Sequence, residues 1–265
     1  MLPVSIGVHR RSSAAKGLDV AERDTSMNQT LTIAKREVAS LFFSPIAYVV
    51  AALFAFVAAF IFLSYFNAGA AAELRPVLGH VVWLLVFIVP AISMRLLSEE
   101  FRTGAIEPLV TAPLSDAQII VGKWLGALGF FAVLLLPLVV FAVVLACTAS
   151  PDFGPILTGL LGVLLVGGLY LAIGALASAL TQNQIIAFLL TVFITGVLTI
   201  VMYYLGAAEW MPPWLKPVVF YLNVDRQFED FARGLLDTSR LTYFGTGIAL
   251  FLFLAVKVLE SRRWR

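Results

Sequence analysis

The chain has 265 residues, 61% of them hydrophobic and 13% charged, and a mean hydropathy of +0.97. That composition excludes a water-soluble globular domain and indicates an integral membrane protein. The net charge of +2 implies no nucleic acid or other polyanion as partner; the one cysteine, Cys147, permits no intramolecular disulfide; and His9 and His80 form no metal-ligand cluster.

Residues 1–26 lack the apolar core of a secretory signal, and none follows Arg10-Arg11, so twin-arginine export is not expected either. They read as a disordered N-terminal extension, and Met27 is the expected natural start of translation. Beyond it, Leu31, Ala34, Val38, Leu41 and Phe42 recur at helical spacing, with Lys35, Arg36 and Glu37 opposite. This predicts an amphipathic helix lying in the membrane interface, its apolar face among the lipid headgroups. Pro45 then turns the chain into the first span.

A membrane-spanning helix needs roughly 20 apolar residues, and the sequence holds six such stretches, at about 46–66, 77–94, 125–147, 156–180, 185–205 and 241–259. Pro90 and Pro137 are expected to kink the second and third or interrupt their hydrogen bonding. Between these two spans, residues 94–124 are too charged for lipid and too regular for a slack linker. Leu97 and Phe101, then Ile106, Leu109 and Val110, keep helical spacing, and Arg95, Glu99 and Arg102 place charges within reach of one another. Gly104 and the breaker ending in Pro113 stop these short helices. Ser115 with Gln118 then forms a capping box, and Asp116 suits the first turn, so the third spanning helix is expected to begin before it reaches the membrane.

In the fourth span Gly167, Gly168, Gly174, Ala175 and Ser178 supply small-residue pairs, such as Gly174 with Ser178, that let helices approach closely. Thr191, Thr195 and Thr199 in the fifth form a hydroxyl stripe. Such a stripe either returns hydrogen bonds to its own helix or lines a translocation path or subunit interface. Residues 206–240 carry Trp210 and Trp214 around a Pro-Pro pair, at a depth where aromatic rings favour the interface. Two short amphipathic helices follow, one around Val218 and Val219 and one around Phe228 and Phe231, parted near Asn223 and closed by Gly234. They either form a half-inserted hairpin over the outer mouth or rest on the bilayer.

An even number of spans puts both termini on one side. That side holds Lys35, Arg36, Arg95, Arg102, Lys123, Lys257, Arg262, Arg263 and Arg265, against Arg75, Lys216, Arg226, Arg233 and Arg240 opposite. By the positive-inside rule the termini and the 94–124 segment are cytoplasmic. The spans contain almost no ionisable groups, which disfavours coupling to a proton or sodium gradient. There is no phosphate-binding G-x-x-x-x-G-K-[ST] loop; Gly122-Lys123 lacks its first glycine and its Ser/Thr and reads as an interfacial lysine. Neither a Glu/His cluster nor paired aspartates lie near the spans, so a membrane protease or lipid-modifying enzyme is not indicated. A solute carrier of this composition must draw its energy from elsewhere.

The string from Arg95 through Glu99, Glu100, Arg102, Gly104 and Glu107, followed by Leu109 to Asp116 and Gly122-Lys123, resembles the cytoplasmic loop of ABC-2 type permeases. Within them it is most similar to the group of the gliding-motility and multicopper-enzyme-maturation permeases, and the string Phe228 to Asp237 resembles a segment of that group before the last span. Order, spacing and span count match over residues 27–265. The resemblance implies an all-α membrane protein: six transmembrane helices, an N-terminal interfacial helix, a cytoplasmic coupling helix between spans two and three, and short outer helices between spans five and six.

It further implies a permease subunit of the cytoplasmic membrane that dimerises with a second copy or a related permease and exports a substrate, driven by separate ATP-binding subunits. Those subunits would bind and hydrolyse ATP with Mg, this chain itself holding no cofactor and being no enzyme. Glu99, Glu100, Arg102, Gly104, Glu107 and Pro113 become the residues that couple to the ATPase. Pro108 departs from the usual aliphatic residue of the family and is expected to shorten the helix there. A non-transporting anchor that passes ATPase movement to an outer partner is the alternative.

Overall fold

A computed structural model describes residues 29–66, 73–105 and 114–263. Among these the chain is nearly all helix, with no strand. Residues 29–42 form α1, followed by α2 (Pro45–Tyr65), α3 (Arg75–Ser93) and the short α4 (Ser98–Thr103). Then come α5 (Asp116–Leu134), α6 (Leu136–Thr148), α7 (Phe153–Leu180) and α8 (Gln184–Gly196). A π-turn at Val197–Val201 joins α8 to α9 (Met202–Ala207), after which α10 (Lys216–Leu222), α11 (Val224–Ala232) and α12 (Thr238–Arg263) complete the fold. Six of the helical runs are long and apolar enough to cross a bilayer: Pro45–Tyr65, Arg75–Thr103, Asp116–Thr148, Phe153–Leu180, Gln184–Ala207 and Thr238–Arg262. The chain is a multi-pass membrane protein.

The outward faces of these helices are as apolar as the inward ones. In α2, Val50, Phe54, Ala58 and Phe62 are buried at helical spacing, while Val49, Phe56, Phe60 and Leu63 on the far side are exposed. Exposed aliphatic and aromatic rows of this length are stable only against lipid or another apolar surface.

At the centre stands α7, which packs against α3, α5, α8, α11 and α12. Its glycines make this possible, each receiving a side chain from a neighbour. A Cβ at Gly167 would stand 2.0 Å from the Phe131 ring of α5, one at Gly159 2.5 Å from Leu78 of α3, and one at Gly162 2.8 Å from Phe231 of α11. Gly174 meets Ser93, whose Oγ would be 1.9 Å from such a Cβ. Small residues therefore set the distance between helices here, as expected where no hydrophobic gradient drives association.

The third span is two helices. Its backbone leaves regular α geometry at Leu135, so that Pro137 falls in the first turn of α6, where its missing N–H costs nothing. Pro90, by contrast, stays inside α3. The capping box at the start of α5 forms: the Gln118 N–H donates to Ser115 Oγ at 3.2 Å and the Ser115 N–H to Gln118 Oε1 at 2.9 Å.

α1 differs from expectation. Part of its apolar stripe does not face headgroups but lies on α5, burying Ala34 and Leu41. The cause is a glycine ridge on α5: a Cβ at Gly126 would stand 2.8 Å from the Ala34 carbonyl oxygen and 2.5 Å from Glu37 Cβ, and one at Gly122 2.9 Å from Ile33. Only glycine admits a helix backbone this close. The extension at 1–26, and Glu107, Pro108 and Pro113, lie outside the described residues.

In the 206–240 segment α11 docks on the bundle, a placement that neither the half-inserted hairpin nor the bilayer-resting reading gave. Phe228 and Phe231 are buried against α7, and Trp83 Nε1 of α3 donates to Asp225 Oδ1 at 3.1 Å. Arg240 Nε of α12 donates to Asp230 Oδ2 at 2.7 Å. Asn223 caps α11 through the Arg226 N–H, and Gly234, at φ +91, ends it, with the Leu235 N–H donating to the Asp230 carbonyl in a Schellman closure.

Candidate functional site

Among the described residues, polar groups come together at each end of the bundle. The first group surrounds α4. A helix this short has little stability of its own, and three neighbours hold it. Ser178 Oγ on α7 accepts the N–H groups of Leu97 and Ser98, both at 2.9 Å, and so caps α4 from another helix. From α5, Lys123 Nζ donates to Glu100 Oε1 at 2.7 Å and to Glu37 Oε2 of α1 at 3.0 Å. At the far side the Arg262 guanidinium of α12 lies 4.5 Å from the Phe101 ring centroid and donates to the Leu180 carbonyl at 2.7 Å. Gly104 ends the helix in the left-handed conformation, φ +74, as its type predicts.

Lys123 is the centre of this junction. Its side chain is only 4% exposed, against 15% for Glu37 and 22% for Glu100. A buried ammonium is tolerated only with charge and hydrogen-bond partners, and here the two carboxylates supply both. Glu100 Oε2 is buried and has no hydrogen-bond partner, so this carboxylate is held through one oxygen. Beneath the junction Leu97, Ile119, Ile120, Ala172, Ala179 and Leu259 pack into an apolar cluster of their own.

The residues expected to couple to a partner thus divide. Glu100 faces inward onto Lys123; Glu99 is half-buried in the first turn, and Arg102 is exposed, neither in an ion pair among the described residues. Sequence reasoning placed Lys123 at the interface as a lone cation and left Glu37 on the polar face of α1. Their partners lie 23 and 86 positions from Lys123, beyond any helical periodicity.

Thr191, Thr195 and Thr199 are all buried within the chain. Thr191 Oγ1 donates to the Ala187 carbonyl at 2.7 Å and Thr195 Oγ1 to the Thr191 carbonyl at 2.8 Å, whereas Thr199, inside the π-turn, hydrogen-bonds the Tyr170 hydroxyl of α7. The π-turn had no expectation attached to it.

At the opposite end, α3, α11 and Tyr203 of α9 line an open cavity of about 680 Å³. Trp83, Tyr203 and Phe228 form its apolar wall, Trp83 and Tyr203 meeting edge to face at 5.4 Å. Glu73, Asp225 and Glu229 supply carboxylates. Arg75 reaches Glu229 at 3.4 Å, and Arg233 also pairs with Glu229. His80 Nδ1–H donates to the Pro76 carbonyl at 2.7 Å. Burial pushes the Asp225 carboxyl above its ordinary range, the Trp83 N–H opposing and the nearby Glu229 adding to the shift.

Among the described residues no group of His, Cys, Asp and Glu is arranged to hold a metal ion. A comparison with curated proteins finds no match. Residues 76–231, more than half the chain and running from the start of α3 through α4 to the end of the Phe228–Phe231 face, match the family model described as "ABC-2 family transporter protein". With six spanning helices in the order that resemblance implies, the chain belongs to the ABC-2 transporter family.

Proposed function

We propose that the chain is the permease subunit of an ATP-binding-cassette transporter of the cytoplasmic membrane. It dimerises, with itself or a related permease, and separate ATPase subunits using ATP and Mg drive export. In this reading α4, with Glu99, Glu100, Arg102 and Gly104 and the neighbouring Glu107 and Pro113, receives the movement of the ATPase. Both termini and α4 face the cytoplasm, and the subgroup is that of the gliding-motility and multicopper-enzyme-maturation permeases.

The observation that carries this reading is the fixing of α4. A charged helix of six residues at the membrane end would need no more than solvent if it were a surface decoration. Instead it is bound to α5, α7 and α12 by an ion pair, a cap and a stacked guanidinium, and through Lys123 it is linked to α1, so a displacement of α4 would act on spanning helices. Force transmission requires such an attachment.

Co-expression with candidate ATP-binding subunits from the same genome, followed by reconstitution into lipid vesicles, tests the proposal. Expected are a stable complex and ATP hydrolysis accompanied by movement of a solute. A permease that captures no ATPase overturns it, and hydrolysis without solute movement transfers support to the anchor reading. The orientation has its own probe in Ser150→Cys made with Cys147→Ser, Ser150 being exposed just beyond the third span at the end opposite α4. A membrane-impermeant maleimide should label this double variant in intact spheroplasts; labelling only after permeabilisation reverses the topology.

A further inference from the structure

We propose that the cavity at the α11 end binds an organic cation, and that this is the substrate class of the transporter; the second clause rests on the transport reading above. A volume of about 680 Å³ falls within the range of roughly 300–1,000 Å³ usual for pockets that take drug-sized molecules. What selects the ligand is the pairing of an aromatic wall with carboxylates that no Lys or Arg neutralises among the described residues, His80 being the one other basic group of the lining. The faces of Trp83 and Tyr203 carry negative electrostatic potential and attract a cation without demanding that it give up hydrogen bonds. Of the acids, Glu229 is engaged by Arg75 and Arg233, but Glu73 and Asp225 have no Lys or Arg ion pair among the described residues. The same pairing that occupies Glu229 occupies Arg75, so among the described lining residues no unpaired guanidinium remains to welcome an anion. An anionic or purely neutral ligand would leave these carboxylates to be desolvated without return.

The wall is also built rather than incidental. Trp83 is oriented by its indole N–H, which donates to Asp225 Oδ1 at 3.1 Å, so the ring that would meet the cation and the carboxylate that would balance it are fixed to each other. Tyr203 follows directly on the π-turn Val197–Val201 and Met202. Spacing of four residues drifts by about 40° per step around an α-helix. The wider π-turn offsets that drift, bringing Tyr203 to the cavity at the end of the row that begins with Thr191, Thr195 and Thr199. π-turns inside spanning helices recur at functional positions, and this one ends a row of buried hydroxyls at a pocket.

The test uses the full chain in lipid nanodiscs and two ions of nearly equal shape and opposite charge, tetraphenylphosphonium and tetraphenylborate, with protein-free nanodiscs subtracting lipid partition. Saturable binding of the phosphonium alone is expected. The double variant Glu73→Gln/Asp225→Asn should weaken it at least tenfold, and because an Asn oxygen still accepts from Trp83, the fold of the pocket is retained. Trp83→Leu should weaken it as well. Equal saturable binding of both ions, no saturable binding of the phosphonium, or wild-type affinity in the double variant overturns the proposal. These measurements need no ATPase. Cation binding by a chain that captures no ATPase would therefore sink the transport reading and leave the site standing, and a working transporter without cation binding would do the reverse.

Discussion

Lys123 Nζ lies 2.7 Å from Glu100 Oε1, tying the third span to α4 through a lysine that is almost wholly out of solvent. The geometry makes Lys123 a positioning residue for α4. Replacing it by Met leaves Glu37 and Glu100 facing each other without a cation, and breaking a buried pair from one side costs about 3 kcal/mol or more. Lys123→Met should lower the melting temperature of the purified chain and reduce ATPase stimulation in the complex. Adding Glu100→Gln should cost less than the two single changes summed, the mark of direct coupling. Strict additivity in that cycle would show the contact to be energetically idle.

Gly126→Leu addresses the seat of α1. Its Cβ would meet Glu37 Cβ at 2.5 Å and the Ala34 carbonyl at 2.8 Å, and the backbone of α1 cannot yield to it without leaving α5. The expected result is that α1 becomes accessible to protease while all six spans still insert. Protection equal to that of the wild type would mean that α1 is held by lipid, as its amphipathic pattern alone had implied.

Asp225 gives a pH dependence whose sign is fixed. Its carboxyl is raised above the ordinary 3.8 by burial, so the folded state prefers the protonated form more than the unfolded state does. The stability it contributes is full below 3.8 and falls as pH rises through the raised value, then stays level. Thermal unfolding should therefore show stability falling as pH rises from 3.8 through the raised value, and Asp225→Asn should flatten that slope. A slope of the same size in the variant would assign it to other carboxylates.

Much of this architecture could be read from residues in order. The capping box at Ser115 and Gln118 placed the start of the third helix ahead of its apolar run, and the structure begins α5 at Asp116. Gly104, Gly234, Asn223 and Pro137 each act at the helix end or break that their type predicts, because caps and breaks are local chemistry. The junction was not legible for the opposite reason. Lys123, Glu37 and Ser178 meet α4 from distant parts of the chain, and nothing local distinguishes a lysine that snorkels from one that is enclosed. An apolar stripe looks the same whether it meets headgroups or Gly122 and Gly126, so its pattern alone points α1 to lipid. The π-turn leaves no trace in residue types at all. The one available signal was the row of small residues in the fourth span, which correctly pointed to close neighbours without naming them.

Those neighbours give α7 a role that neither end reveals alone. It runs unbroken for 28 residues, about 42 Å at 1.5 Å per residue, whereas the third span is interrupted at Leu135. Near one terminus Ser178 grips the backbone of α4; near the other Gly159 and Gly162 cradle α3 and α11 around the aromatic chamber. The joint at Leu135 divides the third span into two helices, whereas α7 connects the α4 junction to the cavity without a break. A continuous rod of that length is what the proposed coupling would need to carry movement from one membrane face to the other.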